Sequence, residues 1–380
     1  MSLHPVVGHE DFLSSMARAH ERTSLPSSLL LHGPRGVGKQ RVALWIAQLT
    51  ICERPAADGP CGKCGACRMA VKLEHPDVHW YFPLARPKGV AGDRLVTALE
   101  DARMQALEDL RAEPLYASHT ADVRGLYFGI TKTIRRQAHL RPNMAPGQVF
   151  IIGNAELLVP QEASPEAANA LLKLLEEPPG TSRFILTSSE PGRLLPTILS
   201  RTVALHVAPL GTDLIDIFLS QQTDADRETT KWACELSQGS IGRALGFLPD
   251  GQEEGPLESL RRQALALIEV ALVQDPGQGY ELSLSYPSAG ARSLIPLCTF
   301  IEEWLRDLGA IASGAGDRVF NFDERSHLQE LVARTPIRGS EIVLALTEVE
   351  QARELARGNV NPQLIINGLV SNLRRRLIAT

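Results

Sequence analysis

Residues 29–40 read L-L-L-H-G-P-R-G-V-G-K-Q, and this stretch decides the fold. The apolar run at 29–32 is typical of a buried parallel strand, and the apolar spacing of residues 40–51 predicts a helix after the loop. Between them lies the G-x4-G-K spacing of a phosphate-binding loop. In such a loop, backbone N–H groups and the helix N-terminus face phosphate, and the lysine adds positive charge. The stretch therefore predicts an α/β protein with a nucleotide-binding type of loop.

The positions that support a magnesium ion beside such a loop are altered. Ser or Thr usually follows the lysine because its hydroxyl coordinates Mg²⁺, but Gln40 offers a longer amide arm. An active ATPase of this type presents an Asp-Glu pair after the strand predicted at 148–152, where this chain has Gly153 and Asn154. Glu156 comes later, and a helical register is expected to direct it elsewhere. Poor ATP hydrolysis is therefore predicted.

The sequence leaves open whether the loop binds ATP. A glycine turn that serves only to shape the backbone would give the same pattern. The candidate nucleotide-binding residues of the loop are Gly33, Gly36, Gly38, Lys39 and Gln40.

Four of the six cysteines fall within residues 52–67, with the spacing C-x8-C-x2-C-x2-C. A Cys-x2-Cys step lets one tight turn direct two sulfurs at one point, and four thiolates complete the tetrahedral shell that Zn²⁺ prefers. We expect one structural zinc ion. Its predicted ligands are Cys52, Cys61, Cys64 and Cys67. His75, in the following H-P-D, is interpreted as part of a structural turn at the start of a strand.

Bulk properties limit the class of protein. A chain of 380 residues is too long for one core, so two or three domains are expected. The formal net charge of −5 gives no basic footprint, so this chain alone is not expected to neutralise many phosphates of a nucleic acid. We find neither a signal-peptide pattern nor an apolar run of membrane-spanning length, so a cytoplasmic location is expected. Cys234 and Cys298 are interpreted as buried core thiols.

Strand-like and helical segments alternate after the loop. Residues 148–152, 184–187 and 203–207 are all interpreted as buried strands of one parallel sheet with helices on both faces. Residues 81–125 are interpreted as an insertion of loop and charged surface helix. Beyond about residue 210 only helical patterns continue. The predicted domains are 1–208 with the loop, zinc module and insertion, 209–250 as a helical lid, and 251–380 as a helical collar.

Two arginines are candidates for contact with phosphate. Arg201, preceded by Ser200, closes a turn, and an arginine on a turn can reach the γ-phosphate of a neighbouring subunit and stabilise transition-state charge. The alternative is a surface arginine paired with a carboxylate. Arg243, in G-S-I-G-R-A-L, is a second candidate, and a structural role at a helix start is its alternative.

These features resemble the clamp-loader family of AAA+ proteins that serve the bacterial replicative DNA polymerase. The resemblance rests on G-P-R-G-V-G-K, the cysteine module with H-P-D, A-A-N-A-L-L-K-L-L-E-E-P-P, S-S-E-P-G-R-L-L-P-T-I-L-S-R and G-S-I-G-R-A-L. It implies a P-loop AAA+ parallel sheet with an inserted zinc module, an all-α lid and an all-α collar. It also implies partners: gamma/tau and delta subunits in a five-membered ring that loads a sliding clamp onto primed DNA, with no membrane involved.

The altered metal positions favour a non-hydrolysing member of this family. By resemblance, such a subunit is rather rigid and supplies Arg201, next to Ser200, as an arginine finger in trans. Two alternatives stay open. One is an ATP-hydrolysing gamma/tau-type motor in which Glu156 or another acid holds Mg²⁺, and the other is a zinc-stabilised scaffold or adaptor. Thr202 departs from the family pattern, which usually has Cys after S-R.

Overall fold

The structure is a computed structural model that describes residues 3–115, 124–158, 166–251, 253–273, 275–358 and 360–378. Its contacts divide the chain into two compact units. The first contains the described residues up to 230 together with 237–245, and the second contains 231–236 and the described residues from 246 onward. The division into a P-loop domain, a lid and a collar stays a prediction.

The first unit is built on a parallel sheet. The strands are β1 (Ser28–His32), β2 (Val78–Tyr81), β3 (Leu84–Ala85), β4 (Arg124–Gly125), β5 (Val149–Ile152), β6 (Arg183–Ser188) and β7 (Val203–His206). Five of them pair in the order β2-β5-β6-β1-β7, and every pairing among these five is parallel. The short strands β3 and β4 pair antiparallel in a separate ribbon. The predicted parallel α/β sheet is confirmed.

Helices cover both faces of this sheet. Those that begin in the first unit are α1 (Glu10–Glu21), α2 (Lys39–Ile51), α3 (Gly65–Val71), α4 (Asp93–Ala112), α5 (Phe128–Ala138), α6 (Glu166–Glu176), α7 (Pro196–Leu199), α8 (Thr212–Gln222), α9 (Arg227–Leu236) and α10 (Ile241–Phe247). Successive residues of a strand point to opposite faces. Leu31 of β1 therefore shares one core with Val42 of α2, whereas Leu30 shares the other with Ile134 of α5.

The expectation that residues 203–207 form a buried strand is wrong. β7 lies at the edge of the sheet and pairs only with β1, so that Val203 is 47% exposed. Only Val207, directly after the strand, is fully buried. The error has a physical cause: an apolar run looks the same in a central and an edge strand, because strand order is decided by tertiary pairing.

The region 81–125 contains β3, α4 and β4, while its residues 116–123 lie outside the described part of the chain. The predicted helix at 94–112 is found as α4. It is not only a surface helix, since Leu99, Arg103 and Leu107 are buried at helical spacing along one face. The interpretation of the region as an insertion stays a prediction.

The second unit is helical. Its helices are α11 (Pro256–Leu272), α12 (Pro276–Leu284), α13 (Leu294–Ala312), α14 (Arg325–Arg334), α15 (Gly339–Arg357) and α16 (Pro362–Leu377). This confirms the mostly helical C-terminal part of the chain. Cys234 and Cys298 are buried in this unit, as predicted. Among the described residues, no helix has the length and apolar character needed to cross a bilayer.

A buried arginine connects elements of the second unit. Arg261 of α11 is 3% exposed, and its Nε donates to Glu258 Oε2 at 2.7 Å. Its Nη1 donates to Asn321 Oδ1 and to Asp323 Oδ1, both at 3.0 Å. The guanidinium carbon also lies 5.3 Å from the ring centroid of Trp304. A buried cation is stable only when it is paired and hydrogen-bonded in this way.

Candidate nucleotide site and metal centre

The predicted phosphate-binding loop lies between β1 and α2. Gly33 and Gly36 have φ values of 149° and 80°, which L side chains rarely adopt. Space is also lacking at both positions. A Cβ at Gly33 would lie 2.2 Å from the carbonyl oxygen of Val207, and one at Gly36 would lie 2.3 Å from Ser240 Oγ. The loop therefore requires glycine at both positions for its shape and for its close contacts.

The Lys39 ammonium is held inside the loop. Its Nζ donates to the carbonyl oxygens of Gly33 and Pro34 at 2.8 and 2.7 Å, and to Ser189 Oγ at 3.0 Å. An ammonium has three N–H donors, so all three are used within the protein. Burial lowers the pKa of Lys39 from 10.5 to about 8, although the nearby Glu156 carboxylate acts to raise it. A triphosphate at this loop would have to replace hydrogen bonds that the lysine already makes.

Gln40, at one of the two altered metal positions, contacts Asn154, which replaces the acid that would orient the attacking water. Gln40 Nε2 donates to Asn154 Oδ1 at 2.7 Å. Gly153 leaves room for this contact, because a Cβ there would lie 3.0 Å from Gln40 Nε2 and the Gln40 side chain would have to shift slightly. Asn154 has a φ of 52°, and its backbone N–H donates to Thr187 Oγ1 at 3.1 Å. An amide–amide hydrogen bond thus joins the place of the Mg²⁺-binding hydroxyl to the place of the water-orienting acid.

We expect Gln40→Ser alone not to produce Mg²⁺-dependent ATP hydrolysis. The change takes the donor from Asn154 Oδ1, which costs about 1–3 kcal/mol if the oxygen stays buried and unpaired. It also leaves Gly153 without a carboxylate. The measurement is phosphate release by the isolated chain with Mg²⁺-ATP, with denaturant midpoints to detect the loss of stability. The triple variant Gln40→Ser, Gly153→Asp, Asn154→Glu is the comparison, and turnover by the single variant would contradict the prediction.

The expectation that Glu156 is directed away from the loop is wrong. Residues 155–158 form a short 3-10 helix, which advances each side chain by a larger angle than an α-helix does. Glu156 is buried, and its Oε1 accepts a hydrogen bond from the Ser189 N–H at 3.3 Å. Ser189 Oγ in turn accepts from Lys39. Glu156 is therefore an acid on the loop side of the sheet.

The turn before α10 covers the tip of the loop. Ser240 Oγ donates to the carbonyl oxygen of Arg35 at 2.9 Å, and the Gly242 N–H donates to that of Gly36 at 3.0 Å. The backbone N–H of Arg243 donates to Ser240 Oγ at 3.1 Å. Arg243 therefore lies in the first turn of α10, beside the loop. Its contact with a nucleotide stays a prediction.

Arg201 lies on the turn between α7 and β7, with 30% of its side chain exposed. Its Nε donates to Glu176 Oε2 at 2.9 Å. Its Nη1 donates to the carbonyl oxygen of Thr197 at 3.1 Å and to Ser200 Oγ at 3.4 Å. The side chain is thus accessible and oriented by groups of its own unit. It is paired with a carboxylate, as the surface alternative expects, and its role in trans stays a prediction.

The four clustered cysteines converge on one point. The Sγ atoms of Cys52, Cys61, Cys64 and Cys67 lie within 4.8 Å of one another. Those of Cys61 and Cys67 are 4.0 Å apart. A tetrahedral thiolate shell with Zn–S bonds of about 2.3 Å requires about 3.8 Å between sulfurs. The donor set therefore fits zinc, and occupancy by the metal stays a prediction.

Backbone N–H groups stabilise this cluster. The N–H groups of Cys61, Cys64 and Cys67 donate to the sulfurs of Cys52, Cys61 and Cys64 at 3.3, 3.4 and 3.4 Å. Hydrogen bonds of this kind favour the thiolate form that a metal binds. The carbonyl oxygen of Cys67 accepts from Gln48 Nε2 at 3.4 Å, which ties the module to α2.

His75 belongs to a turn at the start of a strand, as interpreted from the sequence. Its Nδ1 accepts a hydrogen bond from the Asp77 N–H at 3.1 Å, and β2 begins at the next residue. Asp77 is buried, and its carboxylate accepts from the backbone N–H groups of residues 143–145. The H-P-D segment therefore fixes the loop before β5.

Three residues that contact the candidate sites were not predicted. Thr187 lies near the end of β6 and Ser189 directly follows the strand. Ser189 is 150 residues from the lysine it contacts. Because parallel strands end at the same edge of a sheet, the polar T-S-S run at the end of an apolar strand was the signal available in the sequence. Glu176, which contacts Arg201 from 25 residues away, gave no such signal.

The β1-loop-α2 geometry, with further parallel strands ending at the same edge, defines the first unit as a P-loop type of α/β fold. A family profile described as "DNA polymerase III, delta subunit" matches residues 8–211. This chain belongs to that family.

Named relatives agree with this assignment. The DNA polymerase III subunit delta' of Pseudomonas aeruginosa is 38% identical over 176 residues, which is 46% of this chain and 40% of the relative. That of Escherichia coli is 29% identical over 220 residues, 58% of this chain and 54% of the relative. The tau subunit of Escherichia coli is 29% identical over 290 residues, 72% of this chain and 38% of the relative. This chain spans about half the length of these relatives, or less. The resemblance to the clamp-loader family is confirmed.

Proposed function

We propose that this chain is a delta'-type clamp-loader subunit that does not hydrolyse ATP and supplies Arg201 to the ATP site of a neighbouring subunit. The observation that carries the proposal is the 2.7 Å hydrogen bond between Gln40 and Asn154 beside Gly153. In an ATPase of this type, position 40 supplies a hydroxyl to Mg²⁺, position 153 supplies a carboxylate to Mg²⁺, and position 154 supplies the acid that orients the attacking water.

The surroundings of the loop support the absence of hydrolysis. Phosphoryl transfer depends on a metal that neutralises charge and on a residue that orients the attacking water. Here Gln40 and Gly153 occupy the metal positions, Asn154 replaces the water-orienting acid, and Lys39 donates its N–H groups to its own loop and to Ser189. The Gly242–Gly36 hydrogen bond also keeps the lid turn on the loop within this chain.

The surroundings of Arg201 support action in trans. The arginine lies on an exposed turn, and Leu199 and Val203 beside it are 37% and 47% exposed. Apolar side chains around an exposed arginine suit a contact with another protein. An arginine that reaches a neighbour's γ-phosphate is worth roughly 10³–10⁵ in kcat at that site.

The proposal includes the partners and architecture that the family implies. Gamma/tau and delta subunits would form a five-membered ring with this chain through the collar at 251–380, with a lid at 209–250. The assembly would open the sliding clamp and place it on primed DNA. The cysteine module would carry one structural Zn²⁺. Family membership and similarity to delta' and tau subunits support this assignment.

An ATP-hydrolysing gamma/tau-type motor is the second candidate, and Glu156 is the observation that favours it. This buried acid lies on the loop side and is close enough to influence Lys39. However, its Oε1 is bound to the Ser189 N–H, and position 40 offers no hydroxyl. ATP turnover by the chain on its own separates the two candidates.

We expect no Mg²⁺-dependent ATP turnover by the isolated chain, and lower turnover by the reconstituted assembly when it carries Arg201→Ala. The rate of hydrolysis at the site that uses Arg201 should fall roughly 10³-fold or more. Total turnover of the assembly should therefore fall at least by the fraction that this site contributes. Steady-state phosphate release on clamp and primed DNA is the measurement, with assembly checked by size-exclusion chromatography.

Arg193→Ala is the matched control. Arg193 is an exposed arginine of the same segment, paired with Glu190 at 3.3 Å, so its loss removes a similar charge and ion pair. Its turnover should equal that of the unchanged assembly. Hydrolysis by the isolated chain, or equal turnover of the Arg201 and Arg193 variants, would overturn the proposed function.

A further inference from the structure

Glu176, the last residue of α6, contacts the arginine proposed to act in trans. Its Oε2 lies 2.9 Å from Arg201 Nε, and its side chain is 57% exposed. The backbone that carries it is fixed, because Leu174 and Leu175 are buried in the core of the first unit. The carboxylate is therefore presented from a stable helix end.

The contacts of Arg201 leave one nitrogen of its guanidinium, Nη2, available to a partner. A guanidinium is planar and carries its five donors in a rigid fork. Nε is bound by Glu176, and Nη1 is bound by the carbonyl oxygen of Thr197 and by Ser200 Oγ. Nη2 has no hydrogen-bond partner among the residues that the structure describes. Two anchored nitrogens fix the plane of the guanidinium, so Nη2 has a defined position before any partner binds.

We propose that Glu176 is a positioning residue for Arg201. Its carboxylate holds Nε, so that Nη2 of the guanidinium is presented to the triphosphate of the neighbouring subunit. This inference rests on the proposed function of Arg201. A group that is already oriented before the reaction contributes to catalysis, because no further orientational entropy has to be lost on reaching the transition state.

The expected effect is modest, because both partners are exposed. An exposed ion pair biases the geometry of its side chains only weakly, so its loss should reduce the productive fraction of Arg201 by about two- to fivefold. The effect should appear in kcat and leave KM for ATP unchanged, since the arginine acts on the transition state.

The experiment measures kcat and KM for ATP in the reconstituted assembly that carries Glu176→Ala, Glu176→Gln or Glu177→Ala. Glu177 is the adjacent exposed glutamate and makes no ion pair among the described residues, so it is the matched control. We expect kcat to fall about two- to fivefold for Glu176→Ala and less for Glu176→Gln, whose amide oxygen still accepts a hydrogen bond. Glu177→Ala should leave both constants unchanged.

A double variant makes the result specific. Glu176→Ala combined with Arg201→Ala should be no slower than Arg201→Ala alone, because the carboxylate acts only through the arginine. If Arg201→Ala lowers turnover while Glu176→Ala equals Glu177→Ala, or is faster, the positioning role is overturned and the proposed function stands. If Arg201→Ala changes nothing, both fail.

Discussion

Arg261→Ala is expected to lower the free energy of unfolding of the second unit by about 3–5 kcal/mol. The change leaves Glu258, which is 3% exposed, without its bidentate cation. Asp323 loses its cation as well and keeps the hydrogen bond from Trp232 Nε1. Burial acts to raise the pKa of Asp323, but hydrogen bonds from Arg261 and Trp232 hold it below its ordinary value. Urea unfolding followed by circular dichroism gives the change, and hydrogen exchange of residues 256–273 localises it.

Arg262→Ala is the control for this variant. Arg262 is the next residue on the same helix, and it also pairs with Glu258, but its side chain is 70% exposed. An exposed pair contributes about 0.2–1 kcal/mol, so the loss should stay within that range. Equal unfolding midpoints for the two variants would show that the buried network contributes no more than a surface pair.

The second prediction with a large effect concerns the loss of one of the four clustered cysteines. Cys67→Ser should abolish stoichiometric zinc and unfold the segment 52–71, because binding of a structural zinc supplies about 10–16 kcal/mol in small zinc modules. Cys67 is fully buried and its Sγ lies 4.0 Å from that of Cys61, so no other side chain can take its place without rearrangement. Metal content by mass spectrometry after dialysis gives the first readout. Hydrogen exchange of the segment gives the second.

Cys298→Ala provides the comparison. This buried thiol lies in the second unit and is not one of the four described cysteines whose sulfurs converge, so we expect it to take no part in metal binding. The variant should retain one zinc per chain, as should the unchanged protein. A chain that binds no zinc when all four clustered cysteines are intact and reduced would contradict the prediction.

Features that depend on residues close together in the sequence were predicted from it. The loop with its strand and helix follows from the G-x4-G-K spacing, and convergence of the four sulfurs follows from C-x2-C steps. The parallel sheet follows from apolar runs that alternate with helical patterns. Each of these depends on hydrogen bonding and burial over a few residues, so local composition is sufficient.

Features that depend on pairing across the chain were not predicted. The exposure of β7 follows from its position beside β1 only, and strand order is not written in the strand itself. The Gln40–Asn154 contact joins residues that are 114 positions apart. The sequence shows that both positions are altered, but it does not show that their side chains touch. The direction of Glu156 was wrong because a 3-10 turn replaced the expected helical register.

The glycine at 153 constrains how a metal site could be built beside this loop. A carboxylate residue there would require the Gln40 side chain to shift slightly, since a new Cβ would lie 3.0 Å from its amide nitrogen. A serine at position 40 would take the donor from Asn154 Oδ1, which costs about 1–3 kcal/mol if that oxygen stays buried without a partner. Positions 40 and 153 are therefore coupled through the amide contact, so a metal-supporting pair is best introduced at both positions together.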